Sequence, residues 1–126
     1  AQRERHPLEA LRPCVDRAAL VELRRAAAVI RISEEVSRYL VELVAATRTM
    51  PGVAMGASPR ASLALMRTTR ALALFDGLEF VTPDHVQELA VPVLAHRLKL
   101  DPQARFSGLT AEAVVDEALR QVPVPV

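Results

Sequence analysis

Apolar residues recur along the chain at helical spacing, in runs separated by Ser, Thr, Asp, Pro and Gly. The clearest run is Val36, Tyr39, Leu40, Leu43, Val44 and Thr47. Its members fall at i, i+3, i+4, i+7, i+8 and i+11, one buried stripe of a helix. Ser33 followed by Glu34 and Glu35 marks its start, Arg48 near its end suits the dipole, and Pro51-Gly52 stops it. Upstream, Asp16 caps a first helix to about Ala28 with Leu20, Leu23 and Ala27 on its stripe, and residues 29–32 form an extended joint. Residues 1–15, with charges around Pro7 and Pro13, read as a linker.

A third helix is expected from Pro59 to about Phe75, stopped by Asp76-Gly77. Leu63, Ala64, Leu65, Met66, Ala71, Leu72, Leu74 and Phe75 make it apolar over most of its circumference, so it should be central and covered on several sides. Thr82 caps a fourth helix with Pro83 first and Asp84 on the dipole; Val86, Leu89, Ala90, Val93 and Leu94 make its stripe. Pro92 should kink or split it near Ala90, and His96-Arg97 close it. Residues 98–109 read as a loop. Thr110 then caps a last helix whose stripe is Val114, Val115, Ala118, Leu119 and Val122, before a polyproline-like tail. The pattern predicts an all-α fold, a bundle of about five helices with the third at its centre, over residues 16–126.

Composition supports this. Apolar residues make up 51% of the 126 and aromatic ones only 3%, a core of Leu, Val and Ala that favours packed helices. The chain has the size of one domain. Against 15 acids stand 15 arginines and one lysine, Lys99, for a net charge of +1, which argues against a general nucleic-acid or membrane binder. The single cysteine, Cys14, cannot form an internal disulfide and fits a reducing cytosol. No apolar run of spanning length and no leader pattern is present, so a soluble cytoplasmic protein is expected.

The most unusual stretch is Gly56-Ala57-Ser58-Pro59-Arg60-Ala61. Gly56 gives the backbone freedom to turn, Ser58 is a good N-cap, and Pro59 suits the first helical position. Arg60 then puts a cation in the first turn, where the dipole disfavours it. Free N–H groups beside a guanidinium make a receptor for an anion, phosphate above all. The plain alternative is a solvated arginine beside an ordinary cap. Arg67 and Arg70 lie within about a quarter-turn of Arg60 on the helical wheel and either line the same site or form its solvent edge.

Catalytic signatures are absent: no phosphate loop, zinc motif or paired carboxylates occur. His6, His85 and His96 have no partners at ligand spacing; His85 and His96 sit at helix ends as surface or capping residues. Asp116 and Glu117 point to different sides of a helix, and Cys14 reads as an inert thiol.

Stretches of the chain resemble the C-terminal lid domain of the MoxR family of AAA+ ATPases. They are Gly56 to Ala61, Ala71-Leu72-Ala73-Leu74, Asp76-Gly77, Val81-Thr82-Pro83-Asp84, Val86 and His96-Arg97-Leu98, preceded by Tyr39, Leu43, Thr47-Arg48 and His6-Pro7-Leu8. Order and spacing are kept over nearly the whole chain. The family often has Gly-Arg-Asp-Tyr-Val where this chain has Gly77 to Val81 as Gly-Leu-Glu-Phe-Val.

The resemblance implies that Arg60 is the sensor 2 arginine, reaching from the lid to the phosphates of ATP held, with Mg2+, by an α/β core preceding residue 1. Ser58, Arg67 and Arg70 are then candidate cofactor-binding neighbours, inferred from the helical wheel. It further implies hexameric rings, contacts with neighbouring subunits, chaperone-like remodelling, and partners carrying von Willebrand factor A domains. The parent chain would be an ATPase and this fragment alone would not. Two rivals are a free-standing helical adaptor and a helix-turn-helix DNA-binding domain. The second lacks a basic, polar recognition helix.

Overall fold

A computed structural model describes residues 7–126. His6 and the rest of residues 1–6 of the expected linker lie outside the described residues. The chain forms a 3-10 turn at Pro7–Ala10, then α1 (Arg17–Val29), α2 (Glu34–Ala46), β1 (Val53–Met55), α3 (Pro59–Phe75), α4 (Pro83–Leu94), β2 (Lys99–Leu100), α5 (Pro102–Phe106) and α6 (Ala111–Gln121). The all-α expectation stands, with two additions: a five-residue helix α5 inside the expected 98–109 loop, and a two-stranded antiparallel ribbon. The ribbon pairs Val53 with Leu100 and Met55 with Lys99, joining two segments that each read as loop. Among the described residues no helix is long and apolar enough to cross a membrane.

The core follows the predicted stripes of three helices. Val36, Tyr39, Leu40, Leu43, Val44 and Thr47 are all buried, as are Val86, Ala90, Val93 and Leu94 on α4 and Val114, Val115 and Ala118 on α6. Asp16, Ser33 and Thr110 cap their helices by accepting the Ala19, Val36 and Ala113 N–H groups. Residues 30–32 form the extended joint, one residue shorter than expected because Val29 still belongs to α1, and they dock on the α3–α4 connection: the Arg31 N–H donates to the Glu79 carbonyl and the Arg31 carbonyl accepts the Val81 N–H in return.

α3 is central, packing against α1, α2 and α4. Its buried line is nevertheless narrow: Ala61, Leu65, Thr69 and Ala73, four positions at i+4 steps. Leu63 is half exposed and Phe75 is 75% exposed, so the apolar circumference is not uniformly covered. The neighbours of α3 cover only part of the helix circumference, and positions off the buried line keep contact with solvent. Thr69, on the buried line, donates its hydroxyl to the Met66 carbonyl at 3.0 Å.

Two further expectations are corrected. α1 has no buried residue, and its predicted stripe members Leu20 and Leu23 stay 49% and 39% exposed. α1 rests on α3 through its alanine-rich side, where Ala26 and Ala27 are half-buried; one neighbour covers one line of a helix. α4 is not split at Pro92: it continues to Leu94 and only then tightens into a 3-10 turn, Ala95–Arg97. Pro92 cannot donate to the Glu88 carbonyl, but both residues are exposed, so solvent is able to take the place of that bond. His96 and Arg97 close this end as expected, with Arg97 Nε donating to the Val93 carbonyl at 2.9 Å.

α3 stops at Gly77 in the left-handed region (φ 73°), with Leu78 N–H returning to the Ala73 carbonyl. The turn into α4 is held by His85, which is buried rather than on the surface. Its Nδ1 accepts the Thr82 N–H at 3.0 Å, which leaves Nε2 to donate to Asp76 Oδ2 at 3.1 Å.

Shortening Leu65, fully buried on α3, to Ala should cost about 2–5 kcal/mol of stability. Leu63→Ala, two residues away on the half-exposed side, should cost under about 1 kcal/mol. Paired urea melts of the two variants measure the difference; equal losses would mean that α3 is buried on both faces.

Candidate functional site

The start of α3 is set from the end of α2. Thr47, fully buried, donates its hydroxyl to the Val44 carbonyl at 2.7 Å and accepts the Ala57 N–H at 3.0 Å. Arg48 Nε donates to the Ala57 carbonyl at 2.8 Å. Consecutive residues therefore hold both polar groups of one buried peptide residue, ten and nine positions along the chain. Gly56 makes this approach possible. A Cβ there would lie 2.5 Å from Arg48 Cα and 2.7 Å from its backbone nitrogen. Gly56 is absent from the glycines at positive φ, so close packing, not the freedom to turn, is what requires it.

From Ala57 the chain enters α3 as its residues dictate. Ser58 is the N-cap residue with extended backbone (φ −79°, ψ 166°), Pro59 follows as the first helical residue, and Ala61 N–H closes the turn on the Ser58 carbonyl at 2.8 Å. The Ser58 hydroxyl, unlike the cap side chains of α1, α2 and α6, makes no cap hydrogen bond. Arg60 is exposed and makes no hydrogen bond or ion pair among the described residues. A free hydroxyl, first-turn N–H groups and an unpaired guanidinium thus share one helix start, a donor set suited to phosphate oxygens.

The other two arginines stand apart from it. At 1.5 Å rise per residue, Arg67 lies about 10 Å and Arg70 about 15 Å along the axis from Arg60. Arg67 is exposed and has no partner among the described residues. Arg70 is half-buried and turned towards α1: its Nη1 donates to the Ala28 carbonyl at 3.5 Å, and its Nε is buried with no partner. The structure brings together Ser58 and Arg60, and it adds Thr47 and Arg48, which the pattern showed only as a buried stripe position and a dipole-matched cation. Among the described residues no cluster of three or more His, Cys, Asp or Glu side chains could hold a metal ion.

Residues 45–118, over half the chain, match the AAA lid domain, and the chain belongs to that family. It is 41% identical over 125 residues to the uncharacterized protein YeaC of Bacillus subtilis, covering 99% of this chain and 39% of that one. It is 36% identical over 115 residues to the chaperone MoxR1 of Mycobacterium tuberculosis, covering 84% of this chain and 30% of the other. A solved structure, a presumed ATPase from Cytophaga hutchinsonii, superposes with a TM-score of 0.81 at 30% identity, over 86% of this chain and 36% of its own. The likeness to MoxR-type AAA+ proteins read from the motifs is borne out. The chain spans less than two fifths of these relatives.

Replacing Thr47 by Val keeps its shape and strands the Ala57 N–H, which should cost about 1–3 kcal/mol. Gly56→Ala forces a methyl onto the Arg48 backbone and should cost about as much. Thermal melts check both; a Gly56→Ala protein as stable as wild type would mean that the loop and Arg48 do not touch.

Proposed function

We propose that this chain is the nucleotide-sensing lid of a MoxR-type AAA+ ATPase, with Arg60 as its sensor 2 residue. The observation that carries the reading is the unpaired Arg60 guanidinium in the first turn of α3, beside a cap hydroxyl not spent on the helix. In this reading residues 1–15 link residues 16–126 to an α/β core that holds ATP and Mg2+, and the lid folds over the nucleotide. Ser58 and Arg60 face the phosphates. Arg67, farther along the same edge, faces the core or a neighbouring subunit, and Arg70 steadies α1.

The chemistry follows from charge. A guanidinium placed at phosphoryl oxygens stabilises negative charge that develops as the terminal group transfers, and it loses that partner once the phosphate leaves. Contact energy between lid and nucleotide therefore differs between ATP and ADP, and a difference of that kind drives closure with one and relaxation with the other. The wider setting we infer from the family resemblance is a cytoplasmic six-membered ring that remodels protein complexes together with von Willebrand factor A domain proteins. The 126 residues alone neither hydrolyse ATP nor hold it tightly.

The test is steady-state ATP hydrolysis by the full-length protein with and without Arg60→Ala, ATP affinity being measured in the same samples. Turnover should fall by about 10²–10³-fold with the melting temperature unchanged, the scale of losing one preorganised charge donor. Unchanged turnover and affinity would make Arg60 a solvated neighbour of the cap.

A further inference from the structure

We propose that Arg48 is a positioning residue for Arg60: by holding the Ala57 carbonyl it fixes where α3 begins, and so where the Arg60 guanidinium stands. The proposal rests on the sensor reading of Arg60 given above.

The link between the two arginines is short and stiff. Arg48 Nε meets the Ala57 carbonyl at 2.8 Å, and only Ser58 and Pro59 separate Ala57 from Arg60. Ser58 is extended, the Pro59 ring locks its φ, and the 2.8 Å bond from Ala61 N–H to the Ser58 carbonyl closes the first turn. A displacement at Ala57 is therefore carried through two residues into the first turn of α3, from which the Arg60 side chain extends. Gly56 cannot absorb it either, because the Arg48 stem occupies the space of its missing Cβ.

The two halves of the clamp are unequal. Thr47 is fully buried among core side chains, so its bond is part of the packing. Arg48 is exposed, its bond to Ala57 only part-buried, and it lies at the rim of the core. Loss of Arg48 should therefore loosen the entry to α3 while leaving the helices packed. Its Nη1 and Nη2 make no hydrogen bond among the described residues, so the contact that matters is the single one to a carbonyl oxygen. A glutamine amide, whose Nε2 is bonded to Cδ as the arginine Nε is, can supply that contact.

The experiment compares Arg48→Ala, Arg48→Gln, Arg60→Ala and the Arg48→Ala/Arg60→Ala double variant in the full-length protein. ATP turnover and KM are measured together with amide exchange of the 56–62 segment. Arg48→Ala should lower kcat by about 10–10²-fold, the scale of an ångström-sized misplacement, with α4 and α6 exchanging as in wild type. Exchange at the Ala57 and Ala61 amides, the two in this stretch that are hydrogen-bonded, should rise about 10-fold. Arg48→Gln should restore turnover, and the double variant should be no slower than Arg60→Ala alone. Independent, multiplying losses in the double variant, a glutamine as damaging as alanine, or unchanged exchange at the Ala57 and Ala61 amides would each overturn the proposal. An Arg60→Ala protein of normal turnover would instead sink the sensor reading, whatever the exchange shows.

Discussion

The Ala57 peptide, gripped on both sides from the end of α2, is the constraint on which the rest of the structure depends. α2 contributes the longest unbroken buried stripe, and Thr47 is its last member. Core packing therefore fixes Thr47, Thr47 fixes Ala57, and Ala57 fixes the origin of the helix that α1, α2 and α4 all pack against. The bonds are few, but the cost of leaving a buried N–H unpaired makes the arrangement nearly all-or-none. A hydrophobic stripe can slide by a turn with modest loss; a stripe ending in a hydroxyl that must find one particular N–H cannot.

The other joints use the same device. His85 ties the C-terminal end of α3 to the N-terminal end of α4 by serving Thr82 with one ring nitrogen and Asp76 with the other. Asp101 N–H donates to the Gly52 carbonyl at 2.9 Å, and Gly52, at φ 77°, has Leu109 and Ala104 where a side chain would stand. The ribbon thereby locks the segment after α2 to the segment before α6. Greasy faces give the bundle its cohesion, and polar contacts between loop and helix end select one arrangement among those the faces allow.

Legibility in the sequence tracks the range of the interaction. The stripes of α2, α4 and α6 were readable because periodicity reports burial directly when a helix has neighbours over its whole length. α1 shows the limit: Leu20 and Leu23 keep the right spacing, but spacing does not say whether anything covers them. α5 begins with Asp101-Pro102, the same cap-and-proline pair as Ser58-Pro59 and Thr82-Pro83, yet five residues are too few for a periodic signal. The ribbon pairs strands of three and two residues more than forty positions apart, which no local pattern reveals. For the site, Ser58 and Arg60 were legible from cap chemistry and from the family resemblance. The roles of Thr47, Arg48 and His85 were not, since each acts through a partner three to ten residues away whose position depends on the folded loop.

Helix starts in this protein otherwise obey electrostatics, and that makes α3 informative. α2, α4 and α6 carry Glu34 and Glu35, Asp84, and Glu112 in their first turns. α1 opens with Arg17, but the Asp16 carboxylate caps it and sits beside that cation. Only α3 among these combines an arginine in the first turn, no acid, and a cap side chain that makes no bond. Each departure forgoes a contribution of roughly 0.3–1 kcal/mol that an ordinary substitution would recover. The same helix start is held from the end of α2 by Thr47 and Arg48 together, so its electrostatic weakness is not slackness. A rigid, under-neutralised positive end is what an anion presented from outside would complete, and sequences tend to break local rules where function needs them broken.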